Sequence, residues 1–188
     1  MAKCPICNSR KGKRKCVVQE GFICTLCCGE TRSVEKCEGC SYFKETTSIR
    51  NYTKVPHYPL PRMSNNIDLQ DQANVIESAI CQFDNEQKGN LNDNVILRIV
   101  EFLLNRYHFK DDKLVFSNIL EENGFISIDR AIKEDLSLLK AEDVTKLLGT
   151  VYRSINRHTV NSREYLDFIH EYVGLRVGKG VRLIKNLF

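Results

Sequence analysis

Eight of the chain's nine cysteines fall before Tyr42: Cys4, Cys7, Cys16, Cys24, Cys27, Cys28, Cys37 and Cys40, with only Cys81 elsewhere. This clustering limits how the first part of the chain can fold. A segment of that length with so few apolar residues cannot bury enough surface to hold together by itself, so it needs a metal or a covalent crosslink. The start, Met1-Ala2-Lys3-Cys4-Pro5-Ile6-Cys7, has no apolar stretch of the secretory type. The expected location is therefore the cytoplasm, where thiols stay reduced and clustered cysteines signal metal binding rather than disulfides.

The spacing names the metal. Zinc takes four soft ligands in a tetrahedron, and a Cys-x2-Cys turn delivers two of them. Three such pairs occur, Cys4/Cys7, Cys24/Cys27 and Cys37/Cys40. Cys4, Cys7, Cys24 and Cys27 have the separation of a four-cysteine zinc site and form site one. Cys16, Cys28, Cys37 and Cys40 then form site two, giving two Zn²⁺ per chain. Neighbouring Cys27 and Cys28 would serve different metals if the backbone there is extended, because successive side chains of a strand point to opposite faces. Iron–sulfur runs space their cysteines more densely. A catalytic zinc keeps an open position and usually uses histidine or carboxylate, whereas no histidine precedes His57. The sites are read as structural.

The run Cys-Pro-Ile-Cys, then Lys-Gly-Lys-Arg-Lys-Cys, Ile-Cys-Thr-Leu-Cys-Cys-Gly-Glu-Thr-Arg and finally Cys-x2-Cys-Ser-Tyr-Phe resembles an N-terminal module of uncharacterised bacterial proteins. At superfamily level it is similar to cross-braced zinc modules of the RING and B-box type. The resemblance covers residues 4–43 and implies zinc binding. It implies no activity, since fold does not give function.

The expected organisation is a small metal-stabilised module over 1–43, a proline-containing linker over 44–64 and an all-α domain of five or six helices over 65–188. Three of the four prolines, Pro56, Pro59 and Pro61, lie in the linker and favour extended polyproline II backbone. From Asp68 onward, apolar residues recur at helical spacing. Leu69, Ala73, Ile76, Ile80 and Phe83 mark one helix, Val95 to Tyr107 a second and Val144 to Ile155 a fifth. Between them a short third is expected to stop at Asn123-Gly124 before a fourth over Ile128–Leu139. A sixth opens at Asn161 with Glu164 completing a capping box. The tail, Leu175-Arg176-Val177-Gly178-Lys179-Gly180-Val181-Arg182-Leu183, suits a short hairpin with a three-residue loop or, alternatively, a final helix broken by glycines. Cys81 and the aromatic residues read as core, and His108, His158 and His170 as surface or packing residues.

No nucleotide-binding, hydrolase or metalloprotease motif is present, and no apolar run approaches the ~18–20 residues of a membrane span. The expectation is a non-enzymatic protein with no small-molecule substrate. Residues 1–62 hold 12 Lys and Arg against 5 Asp and Glu, while the remainder is slightly acidic. Five cations crowd into the loop between Cys7 and Cys16: Arg10, Lys11, Lys13, Arg14 and Lys15. They admit two readings. As phosphate contacts they make this a nucleic-acid-binding or regulatory factor. As counter-charges they offset thiolates around zinc and leave an adaptor, whose module and helical domain each present a surface to a protein partner.

Overall fold

The computed structural model describes residues 3–32, 34–37, 40, 42, 50–157 and 162–184, and the chain divides into two units, Met1–Arg50 and Asn51–Phe188. It is mostly helical, with two short strand hairpins.

In the first unit, β1 (Arg14–Cys16) pairs antiparallel with β2 (Gly21–Ile23), with Arg14 opposite Ile23, Lys15 opposite Phe22 and Cys16 opposite Gly21. Two short helices follow, α1 (Thr25–Glu30) and α2 (Val34–Cys37). The buried cluster here is Cys4, Ile23, Cys24 and Cys27, with Cys7, Cys16 and Cys28 packed against it. Cysteines therefore occupy the positions that aliphatic side chains fill in an ordinary core.

The second unit is built on helices α4 (Ile67–Glu86), α5 (Asp93–Tyr107), α6 (Ile119–Asp135), α7 (Ala141–Ile155) and α8 (Glu164–Tyr172), preceded by a short α3 (Leu60–Ser64). The first three of the longer helices start at an asparagine whose side-chain oxygen accepts an amide three residues on: Asn66 from Leu69, Asn92 from Val95 and Asn118 from Glu121. Helix α4 packs against α6, α7, α8 and the C-terminal hairpin, and α5 packs against α6, α7 and α8. Their apolar faces meet in one core containing Ile76, Ile80, Phe83, Ile99, Leu103 and Leu148. Each such side chain contributes roughly 1.5–3 kcal/mol of transfer free energy. Cys81 is fully buried among them. None of the described helices is long and apolar enough to cross a membrane.

The structure corrects several sequence expectations. Asn123-Gly124 stops nothing, because α6 runs straight through it. A Cβ at Gly124 would lie well under 3 Å from Ile99 Cδ1 and Phe83 Cε1, so this glycine lets α6 close onto α5 and α4. Residues 51–64 are not a free linker. Val55 (φ −61°, ψ 137°) and Pro59 (φ −62°, ψ 149°) do have the polyproline II backbone expected of them. However, Val55 and Tyr58 are buried in the helical core. The Tyr58 amide donates to Thr150 Oγ1 at 3.0 Å and its hydroxyl donates to Asp143 at 2.9 Å. Gly149 makes room for this strap, since a Cβ there would collide with the Pro56 carbonyl.

The start of α8 also differs. Asn161 lies outside the described residues. The N-cap residue of α8, Arg163, gives it no side-chain cap, and local help comes from Ser162 Oγ, which accepts the Glu164 amide at 3.3 Å. The next two amides, of Tyr165 and Leu166, donate to the buried Asp93 carboxylate from the start of α5 at 3.0 and 3.1 Å. The C-terminal hairpin of β3 (Leu175–Gly178) and β4 (Val181–Leu183) forms, but it closes through a two-residue turn, Lys179-Gly180, with an irregularity between Arg176 and Gly178. Gly180 takes φ +66°, a left-handed conformation that glycine adopts without steric cost.

Candidate metal centre

Cys4 and Cys7 sit on a tight turn. The Asn8 amide donates to the Cys4 carbonyl at 2.8 Å, the Cys4 amide donates to the Arg10 carbonyl at 2.7 Å, and Asn8 itself takes φ +52°. The chain then runs back along β2, where the Lys13 amide donates to the Ile23 carbonyl at 2.9 Å. This brings the first cysteine pair beside Cys24 and Cys27. Gly12 permits the approach, because a Cβ there would strike the backbone of Phe22. Cys24 caps α1, its sulfur accepting the Cys27 amide at 3.4 Å, and Thr31 ties off the helix by donating to the Cys27 carbonyl at 2.7 Å.

The result is a four-thiol group. The sulfurs of Cys4, Cys7, Cys24 and Cys27 all lie within 4.8 Å of one another and could hold a metal ion. A tetrahedron with metal–sulfur bonds of about 2.3 Å places its sulfurs about 3.8 Å apart. The Cys7 and Cys24 sulfurs are 3.9 Å apart, so the donor set fits such an ion in chemistry and in size. The surroundings grade the thiols. Hydrogen bonding from Ser9, side chain and backbone, brings Cys7 down to about 5. Burial pushes Cys4 up, but backbone hydrogen bonds from Cys24, Cys7 and Ile6 outweigh it and leave its thiol lowered. Hydrogen bonding to Cys24, together with burial, pushes Cys27 up to about 12. Loading such a set with a cation expels the remaining protons, so affinity rises with pH.

The other four cysteines, Cys16, Cys28, Cys37 and Cys40, line one small cavity of about 20 Å³. They do not meet the same mutual-distance condition as the first set; among the described residues that group stands alone. Cys27 and Cys28 face different surroundings, but not through the extended backbone expected from the sequence. Both lie in α1, where successive side chains turn by about 100°, and not in a strand. Cys27 is buried in the first cluster, while Cys28 receives Arg14 at 3.5 Å and Arg32 at 4.0 Å. The Arg14 guanidinium, seconded by Arg32, lowers the Cys28 thiol.

The structure thereby divides the cationic loop. Arg14 turns toward Cys28 and also lies 5.5 Å from the centre of the Tyr42 ring. Arg10, Lys11, Lys13 and Lys15 are exposed. The period-2 alternation of a strand carried this signal, since Arg14 shares its parity with Cys16 while Lys13 and Lys15 point the other way. Two of the C-terminal cations, Arg176 and Arg182, are engaged within the helical unit. Arg176 pairs with Asp135 at 2.9 Å and Glu134 at 2.6 Å, and Arg182 with Asp71 at 3.2 Å.

His170 is held by the buried Asp84 at 2.8 Å, alongside Arg163 at 2.9 Å, and His158 lies outside the described residues. Sequence reasoning missed a cleft of about 250 Å³ in the helical unit, lined by Tyr58, Met63, Glu77, Thr150 and Arg153 among others. Its residues come from α4, α7 and the strap, which no local pattern connects. No protein-family model, curated protein or solved structure matches the chain.

Proposed function

We propose that this chain is a non-enzymatic zinc protein whose first unit contacts nucleic acid through its cationic loop. The observation that carries the reading is the four-thiol cluster with exposed Arg10, Lys11, Lys13 and Lys15 on the adjoining loop. An all-thiolate donor set suits Zn²⁺ and leaves no open position for a reacting water. Cys4, Cys7, Cys24 and Cys27 hold one ion, and Cys16, Cys28, Cys37 and Cys40 close around a second. The interleaved order of the two sets is that of a cross-braced module. Bound zinc supplies the folding free energy that the small cysteine core lacks. Two zinc ions and eight thiolates leave four net negative charges, and Arg14 and Arg32 sit where they offset part of that charge. The remaining loop cations are then available to phosphates.

Elemental analysis should give two zinc ions per chain; one ion, or an iron chromophore, would overturn the metal assignment. Fluorescence-anisotropy titration of duplex DNA should show weak, sequence-blind binding. Four exposed cations correspond to a salt slope no steeper than about −3.6. Lys13→Ala with Lys15→Ala should flatten it by about 1.8 units with zinc retained.

Exposed apolar side chains on the same unit, Ile6, Val17, Val18 and Leu26, favour a second reading, an adaptor that docks a protein partner. Absence of nucleic-acid binding at about 50 mM salt would transfer the assignment to it.

A further inference from the structure

The outer face of the β1–β2 hairpin joins an aromatic ring to lysines. Phe22 is 56% exposed, at the centre of β2. Its cross-strand partner is Lys15, also exposed, so the two side chains stand side by side on one face. Lys13 lies two residues before Lys15 and shares that face, with its amide on the Ile23 carbonyl. The cationic loop lies against the backbone of Phe22, because Gly12 has no Cβ to push it away. The neighbouring positions Arg14, Cys16 and Ile23 turn inward, so the alternation sorts metal-side residues from this outer row. Glu20, at φ +46° in the turn, is the one acid between Lys3 and Gly29, which leaves the face strongly positive.

A large aromatic ring held open to water beside two lysines suits a polyanion that also carries flat apolar surfaces. We infer that this face is a stacking platform for single-stranded nucleic acid, with one base on Phe22 and neighbouring phosphates on Lys13 and Lys15. The inference rests on the nucleic-acid reading above and narrows it to a substrate class. A duplex keeps its bases stacked on one another and offers the ring nothing, whereas an unpaired base exposes its π-face. An acidic protein segment would satisfy the lysines but not the ring.

The test uses the full-length zinc-loaded protein and three labelled probes of equal length: oligo-dT, an abasic strand with the same phosphates, and a duplex. Phe22→Ala should weaken oligo-dT binding by roughly 5- to 150-fold while leaving the salt slope and zinc content unchanged. Phe22→Tyr, which keeps the ring, should restore binding. The wild-type protein should lose a similar factor on the abasic strand, and Phe22→Ala should lose nothing further there. Equal binding of oligo-dT and the abasic strand, or equal binding by wild type and Phe22→Ala, would overturn the platform while leaving the broader nucleic-acid reading in place. Competition by poly-glutamate as effective, per charge, as oligo-dT would also overturn it, in favour of an acidic protein partner. Failure to bind any of the three probes would overturn both readings.

Discussion

Replacing Asp84 with asparagine should destabilise the helical unit by about 2–3 kcal/mol. The carboxylate is 1% exposed and accepts Arg163 at 3.1 and 2.9 Å, His170 at 2.8 Å and the Leu91 amide at 3.3 Å. Arg163 also reaches the Leu91 carbonyl, so one carboxylate fixes the α4–α5 turn to the start of α8. Asparagine keeps the shape, but its amide must face a donor, and Arg163 loses its counter-charge. Breaking a fully buried pair costs about 3–5 kcal/mol. The Arg163 side chain is 31% exposed and recovers part of its hydration, which places the expectation at or below the lower end of that range. For a unit of about 140 residues the melting temperature should fall by roughly 7–10 °C.

The pH dependence carries a sign. Burial alone would raise the Asp84 carboxyl, but His170 and Arg163 outweigh it and hold it well below the usual carboxylate range. Its stabilisation is therefore present above the unfolded value of about 4 and is lost as pH falls toward the folded value. Thermal melts followed by far-UV circular dichroism should show a gap between Asp84→Asn and wild type that is full at pH 7 and narrows below about pH 4. A gap under about 2 °C at pH 7, or one that does not shrink on acidification, would refute the reasoning.

Chelation should abolish the amide protection of residues 4–32 and leave the melting of the helical unit unchanged, because only the first core is made of cysteines; hydrogen exchange with and without chelator reads both. If the proposed second metal is held by Cys16, Cys28, Cys37 and Cys40, Cys28→Ser should disturb that ion and spare the Cys4/Cys7/Cys24/Cys27 group, visible as loss of one of two cadmium NMR resonances. Gly149→Ala should cost about 1–2 kcal/mol despite the roughly 1 kcal/mol that alanine gains in a helix, since the Pro56 carbonyl cannot retreat without lifting the strap; faster proteolysis within residues 51–64 would accompany it. Burial pushes Glu77 up to about 7, so the folded state holds its proton from about pH 4.5 to 7 and wild-type stability falls as pH rises through that window. Glu77→Gln should remove that slope, and parallel melts across the window would show it.

Local signals made part of this fold legible. Helices α4 and α5 carry both an asparagine cap and an uninterrupted apolar face, so the sequence marks where each starts and which side it buries. The four-thiol group is readable because two Cys-x2-Cys turns at suitable separation leave few other geometries. What stayed hidden depends on contacts between distant residues. Gly124 looks like a stop signal until Ile99 and Phe83 are seen against it. Residues 55–61 look like a spacer until Gly149 supplies a seat. The inward turn of Arg14 was available from strand parity, but the six-residue cationic run masked it as a uniform patch.

The Asp93 cap bears on the order in which the unit assembles. Helix α8 spans nine residues, too few to persist alone in water, and its Tyr165 amide is satisfied by a carboxylate 72 residues earlier in the chain. It cannot serve as a folding nucleus, because the group that closes its first turn is in place only once α5 has docked. The α5–α6 pair, adjacent in sequence, packed side by side and carrying its own asparagine caps, forms without it. Changes confined to α8 therefore act on the rate of unfolding and leave the rate of folding almost untouched, which makes this short helix the latch that sets how long the assembled unit survives.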